Sequence, residues 1–122
     1  MFNFVRMNIE ELREYCLSLP HVKEDMPFDE ETLVFKVGGK MFCFASLEGN
    51  LKMNLKCDPD EAIEMRETFA SVLPGFHMNK RHWNTVLIDG SVSDGLLKTW
   101  VLNSYKLVIA KLTKAVRAEL GL

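Results

Sequence analysis

The chain has 122 residues, enough for a single domain spanning 1–122, and its 48% hydrophobic and 26% charged residues exclude a disordered, fibrous or repetitive protein. A formal net charge of −2 weighs against indiscriminate attraction to nucleic acid or anionic membrane, and no apolar run approaches the roughly 20 residues that span a bilayer. Three cysteines, an odd number without a close pair, predict reduced thiols and a cytoplasmic protein.

The net charge conceals a polarity. Residues 8–31 set eight carboxylates against two cations, whereas residues 96–122 set five cations against one glutamate. The first seven residues are too short for a signal peptide, and Met7 is an alternative start to Met1. Asn8 followed by Glu11 has the spacing of a capping box. Ile9, Leu12, Cys16 and Leu19 then recur at helical spacing until Pro20, which predicts a first helix. The polar stretch from His21 to Glu31, interrupted by Pro27, reads as a connecting loop.

Three strands are expected next. Leu33–Val37 runs into Gly38-Gly39, a two-residue hairpin turn, and Lys40–Ser46 returns. After a turn at 48–50, residues 51–56 alternate, with Leu51, Met53 and Leu55 inward. Asp58-Pro59-Asp60-Glu61 combines a cap, a proline in the first turn and acidic residues that suit a helix N-terminus. The second helix then shares one side among Ala62, Ile63, Arg66 and Phe69 and stops before Pro74-Gly75. Residues 76–90 suggest a hairpin whose clearest strand is 84–88. Ser91 or Ser93 caps a last helix with Leu97, Trp100, Val101, Ser104, Val108 and Leu112 at core spacing. The order predicts an α+β fold, an antiparallel sheet of a three-stranded meander plus a C-terminal hairpin, packed with three helices.

Chemistry-bearing residues are sparse. Cys43 lies between Phe42 and Phe44 in a strand and Cys16 on an apolar helix stripe, where cysteine acts as a small hydrophobe. His21, His77 and His82 lack the closely spaced partners of a zinc site, so no metal and no cofactor is expected. Gly38-Gly39 leads into a strand and cannot open a phosphate-binding helix. No nucleophile, base and orienting group converge, so no enzyme is expected. Glu10, Glu11 and Glu14 form either a solvated helix face or a cation-attracting one.

Residues 74–85 stand out. Lys80 and Arg81 can neutralise phosphates, Asn84 can pair with a base edge, and His82 or Trp83 can stack. Alternatively, Phe76 and Trp83 anchor a hairpin whose cations merely solvate its tip. Lys36, Lys40, Lys52 and Lys56 offer a second positive surface on the meander.

Several blocks resemble the MmcQ/YjbR family: Ser18 to Phe28, Leu33 to Phe42, Leu55 to Pro59, and Pro74 to Thr85 followed by Asp89 to Val92. The similarity runs from about Asn8 to Leu112, with Ser93 where the family often has a proline. It implies a frataxin-like arrangement with a double-wing shape and a DNA-binding label with no catalytic residues attached; the chain itself is expected to be a non-enzymatic monomer with DNA as its partner. The DNA label transfers to Lys80, Arg81, His82, Trp83 and Asn84. The rivals are a protein- or small-ligand-binding module with Trp83, Phe76 and Trp100 lining a pocket, and a metal-handling protein using the acidic N-terminal region.

Overall fold

A computed structural model describes residues 7–25, 31–47, 49–76 and 78–122. The elements run α1 (Ile9–Ser18), β1 (Val22–Asp25), β2 (Thr32–Val37), β3 (Lys40–Ser46), β4 (Lys52–Lys56), α2 (Pro59–Thr68), β5 (Val72–Pro74), β6 (Trp83–Leu87), α3 (Asp94–Lys111) and α4 (Lys114–Leu120). The strands form one open antiparallel sheet in the order β1-β2-β3-β4-β6-β5. The expected α+β class with an antiparallel sheet holds, with six strands and four helices among the described residues.

Local signals set most boundaries. Asn8 caps α1 by accepting from the Glu11 N–H, Asp58 caps α2, and Ser93 rather than Ser91 caps α3. Gly38 and Gly39 have φ of 58° and 79°, the doubly positive pair that a tight hairpin between Val37 and Lys40 needs. A Cβ on Gly38 would also fall 2.8 Å from the Leu112 side chain, so the turn is glycine for space as well as for torsion.

Alternating side chains divide the sheet into two faces. One carries Leu33, Phe35, Val37, Cys43, Ala45, Met53, Leu55 and Val86, all in the buried core. Helix α3 packs there across β2, β3 and β4, while α1 and α2 lie against the β1 and β5–β6 ends. Phe42 meets Tyr105 edge-on at 5.3 Å, and the Ser104 hydroxyl bridges two strands, donating to the Phe42 carbonyl and accepting from the Lys56 N–H. By register the other face presents Val34, Phe44, Asn54 and Thr85 in one row and Lys36, Lys56 and Trp83 in the next.

Four expectations need correction. Part of the stretch read as a loop is β1, an edge strand whose Lys23, Glu24 and Asp25 are poor strand formers held by pairing with β2. Two ion pairs tether it, Arg13–Glu24 at 2.6 Å and Lys36–Asp25 at 3.5 Å. Pro27 falls outside the described residues. The C-terminal hairpin pairs β6 with β5, upstream of the expected 76–90, and 75–82 is its connection. On α2, Ala62 is buried but Ile63 is 48% exposed, because α2 turns a narrower face inward than its apolar residues suggest. Finally, the C-terminal helical run is two helices: α3 ends at Lys111, and Thr113 caps α4 by accepting from the Val116 N–H.

Candidate nucleic-acid interface

The connection 75–82 is built from its own polar groups. Gly75 accepts the closest approach: its N–H donates to the Trp83 carbonyl at 3.0 Å, and a Cβ there would meet Trp83 Cβ and O at 2.9 Å. The Asn79 carbonyl accepts from the N–H groups of His82 and Trp83, and its side-chain oxygen accepts from Arg81 N–H. Lys80 turns back so that its ammonium donates to the Gly75 carbonyl at 3.0 Å. The Phe76 N–H donates to the Thr85 hydroxyl, which donates to the Asn54 side-chain oxygen beneath it.

Helix α2 clamps this loop. Arg66 donates from one guanidinium nitrogen to the Lys80 carbonyl at 2.8 Å and to the Asn84 side-chain oxygen at 3.2 Å. Asn84 in turn donates to the Ala62 carbonyl at 3.1 Å and is 0% exposed. Asn84 therefore cannot meet a base edge. It is a structural link between β6 and α2, a correction to its expected role. The Cys57 N–H closes the other side on the His82 carbonyl at 2.7 Å.

What remains for a ligand is a cleft of ≈ 290 Å³ lined by Lys56, Asn79, His82, Trp83 and Lys111. Register puts Lys56 opposite Trp83, and Lys111 arrives from the end of α3. No carboxylate lines the cleft among the described residues. Arg81 is exposed on the adjoining loop. Two ammonium groups, an imidazole and a half-buried indole thus face one opening, an arrangement that can neutralise phosphate and stack a base.

The other expected residues separate. Lys36 lies close to the same cross-strand row as Lys56, with Lys23 beyond it on β1, so three cations spread over ~14 Å across four strands. Lys36 is, however, engaged by Asp25. Lys40 is exposed at the β2–β3 turn. Lys52 shares the face of Lys56 but sits four residues along the strand, ~13 Å away. His77 falls outside the described residues. Sequence reasoning missed Lys111, which only the tertiary fold brings to the cleft, and Arg66, whose place on the inner side of a helix was the available signal that it serves a buried polar partner.

The rival residues do not assemble as expected. Phe76 is 45% exposed on the loop, Trp83 lines the basic cleft, and Trp100 lines a separate one. Among the described residues no group of three or more His, Cys, Asp or Glu could hold a metal ion. Cys16 and Cys43 are fully buried against each other, and their hydrogen bond together with burial raises the Cys43 pKa well above that of a free thiol. Among the described residues no helix is long and apolar enough to cross a membrane.

The family model for YjbR matches residues 17–107, three-quarters of the chain and all of this interface except Lys111. The chain belongs to the YjbR family. It is 39% identical over 106 residues to the uncharacterised protein YbdF of Escherichia coli O157:H7, covering 86% of this chain and 87% of that one. To the uncharacterised protein YjbR of Escherichia coli K12 it is 31% identical over 112 residues, covering 91% and 95%. The crystal structure of Deinococcus radiodurans DR2400, a DUF419 domain, superposes with a TM-score of 0.90 at 42% identity over 100% of this chain and 93% of that one. A Pseudomonas syringae protein shares the fold alone, with a TM-score of 0.74 at 23% identity. The YjbR resemblance carried by the blocks at 18–28, 33–42, 55–59 and 74–92 is thus borne out at the level of family and fold.

Proposed function

We infer that this YjbR-family protein is a non-enzymatic nucleic-acid-binding protein that holds a DNA strand against the end of its sheet. The observation that carries this reading is the cleft of Lys56, Asn79, His82, Trp83 and Lys111, lined by no carboxylate among the described residues in a chain of net negative charge. Phosphate neutralisation supplies most of the affinity of such proteins, and Lys56, Arg81 and Lys111 are its agents here. Trp83 and His82 supply stacking surface, which suits an unpaired strand because every base has a π-face. Lys23, exposed on β1 beyond the ion-paired Lys36, lies farther along the row. The acidic N-terminal region lies partly neutralised, with Glu24 on Arg13 and Asp25 on Lys36, so it opposes the strand less than its composition suggests.

The test is fluorescence anisotropy with labelled single-stranded and duplex DNA, comparing wild type with the Arg81→Glu/Lys111→Glu variant. Wild type should bind the single strand, and the double reversal should weaken it at least tenfold while leaving the unfolding free energy within about 0.5 kcal/mol of wild type, as for other exposed positions. Equal binding by the variant would contradict the assignment.

A further inference from the structure

The connection between β5 and β6 carries one large side chain that the basic cleft does not use. Phe76 is 45% exposed, and its ring meets no other ring among the described residues. Its backbone, by contrast, is fixed. The Phe76 N–H donates to the Thr85 hydroxyl at 3.0 Å, and Thr85 and its partner Asn54 are 0% and 2% exposed. Gly75 before it is locked against Trp83, and Arg66 of α2 holds the loop through the Lys80 carbonyl. A loop braced from three sides that still leaves a phenyl ring in water presents the ring instead of anchoring it. Covering that ring with a flat apolar partner removes apolar surface from water, which is favourable.

Its position selects the partner. Trp83 and Thr85 are two residues apart on β6, so both point to the outer face of the sheet, ~7 Å apart. Phe76 crosses that face at Thr85, beside the half-buried indole of Trp83. Arg81, exposed on the same loop, makes no ion pair with any described residue. A second copy of the chain would bring the same cations against Arg81, Lys56 and Lys111, whereas a nucleic-acid strand brings phosphates and π-faces together. Stacked bases follow one another at about 3.4 Å along a strand of a duplex. Two rings rooted ~7 Å apart suit neighbouring bases only where the strand is opened.

We propose that Phe76 and Trp83 form a two-base stacking platform, so that the ligand of this interface is an unpaired strand with one base on each ring and its backbone on Arg81. The assignment rests on the nucleic-acid reading of the basic cleft and adds to it the residue that distinguishes an unpaired strand from a duplex. Cations hold either form, but a duplex keeps its base faces inside.

The test is fluorescence anisotropy on full-length protein with three labelled probes of equal length: oligothymidine, the same backbone with abasic sites throughout, and a duplex. F76A should weaken oligothymidine binding about tenfold, within the range for loss of one stacked base, and leave the salt slope unchanged because no phosphate contact is lost. F76Y keeps the π-face and should bind within about twofold of wild type, whereas F76L keeps only apolar bulk and should bind like F76A. The abasic strand and the duplex should bind wild type and F76A equally. Oligothymidine binding that F76A leaves unchanged, or an equal loss for the abasic strand, would overturn the platform while the basic cleft stands. Wild type that binds none of the three probes at low salt would overturn both. A dimer in sedimentation that F76A dissociates would assign the ring to a second copy and overturn the platform too.

Discussion

Replacing Asn84 with alanine separates the two roles this side chain can have. As a base reader it would contribute to DNA binding and little to stability. As the structure places it, the amide is fully buried, donating to the Ala62 carbonyl at 3.1 Å and accepting from Arg66 at 3.2 Å. The first bond is neutral and worth about 1 kcal/mol; the second is charge-assisted but long, and about 1.5 kcal/mol is reasonable. Asn84→Ala should therefore cost about 2.5 kcal/mol, the sum of the two bonds lost from a fully buried side chain. At about 4 °C per kcal/mol for a domain of 122 residues, the melting temperature should fall by roughly 10 °C. Urea unfolding followed by far-UV circular dichroism gives the free energy directly. Arg81→Ala, on the exposed loop, is the control and should lie within about 0.5 kcal/mol of wild type. A loss below about 0.5 kcal/mol for Asn84→Ala would refute the buried link.

Glycine gives a paired prediction. Gly75→Ala forces a Cβ to 2.9 Å from Trp83 backbone and should cost roughly 1–3 kcal/mol while moving the indole and weakening DNA binding. Gly95→Ala, with nothing within 4 Å, should instead stabilise the protein by about 0.4–1 kcal/mol in the same unfolding assay. The thiols give a pH dependence. Because folding raises the Cys57 pKa from 9.0 to about 11, the unfolded chain releases its proton first; this contribution is intact below pH 9 and is lost as pH rises to about 11. Unfolding at pH 8 and pH 10 should show that loss, and Cys57→Ala should show less of it. All three cysteines are buried, so Ellman's reagent at pH 8 should label none until denaturant is added.

Elements with strong local signals were legible in the sequence. Asn8, Asp58 and Ser93 cap helices as read, Gly38-Gly39 turns as read, and the Leu97–Val108 stripe is the buried side of α3. What was not legible is what pairing imposes. β1 is made of Val22, Lys23, Glu24 and Asp25, which form a strand only because β2 offers them an edge, and β5 is three residues ending at a proline. At the interface, His82, Trp83 and Lys56 were visible as residue types, but their meeting with Lys111 is a product of where α3 ends. Asn84 was readable in principle. With Val86 and Ile88 inward, a period of two puts Asn84 on the buried face, and an amide there needs partners.

The most direct test of the central claim is the salt dependence of single-stranded DNA binding. If Lys56, Arg81 and Lys111 each neutralise one phosphate, log K should fall with log[salt] at a slope of about −2, by the rule of about 0.7 per phosphate. Arg81→Glu/Lys111→Glu should flatten that slope to about −0.7 or abolish binding. A single strand that fails to bind at low salt, or a slope the double variant leaves unchanged, would contradict the nucleic-acid reading of this interface.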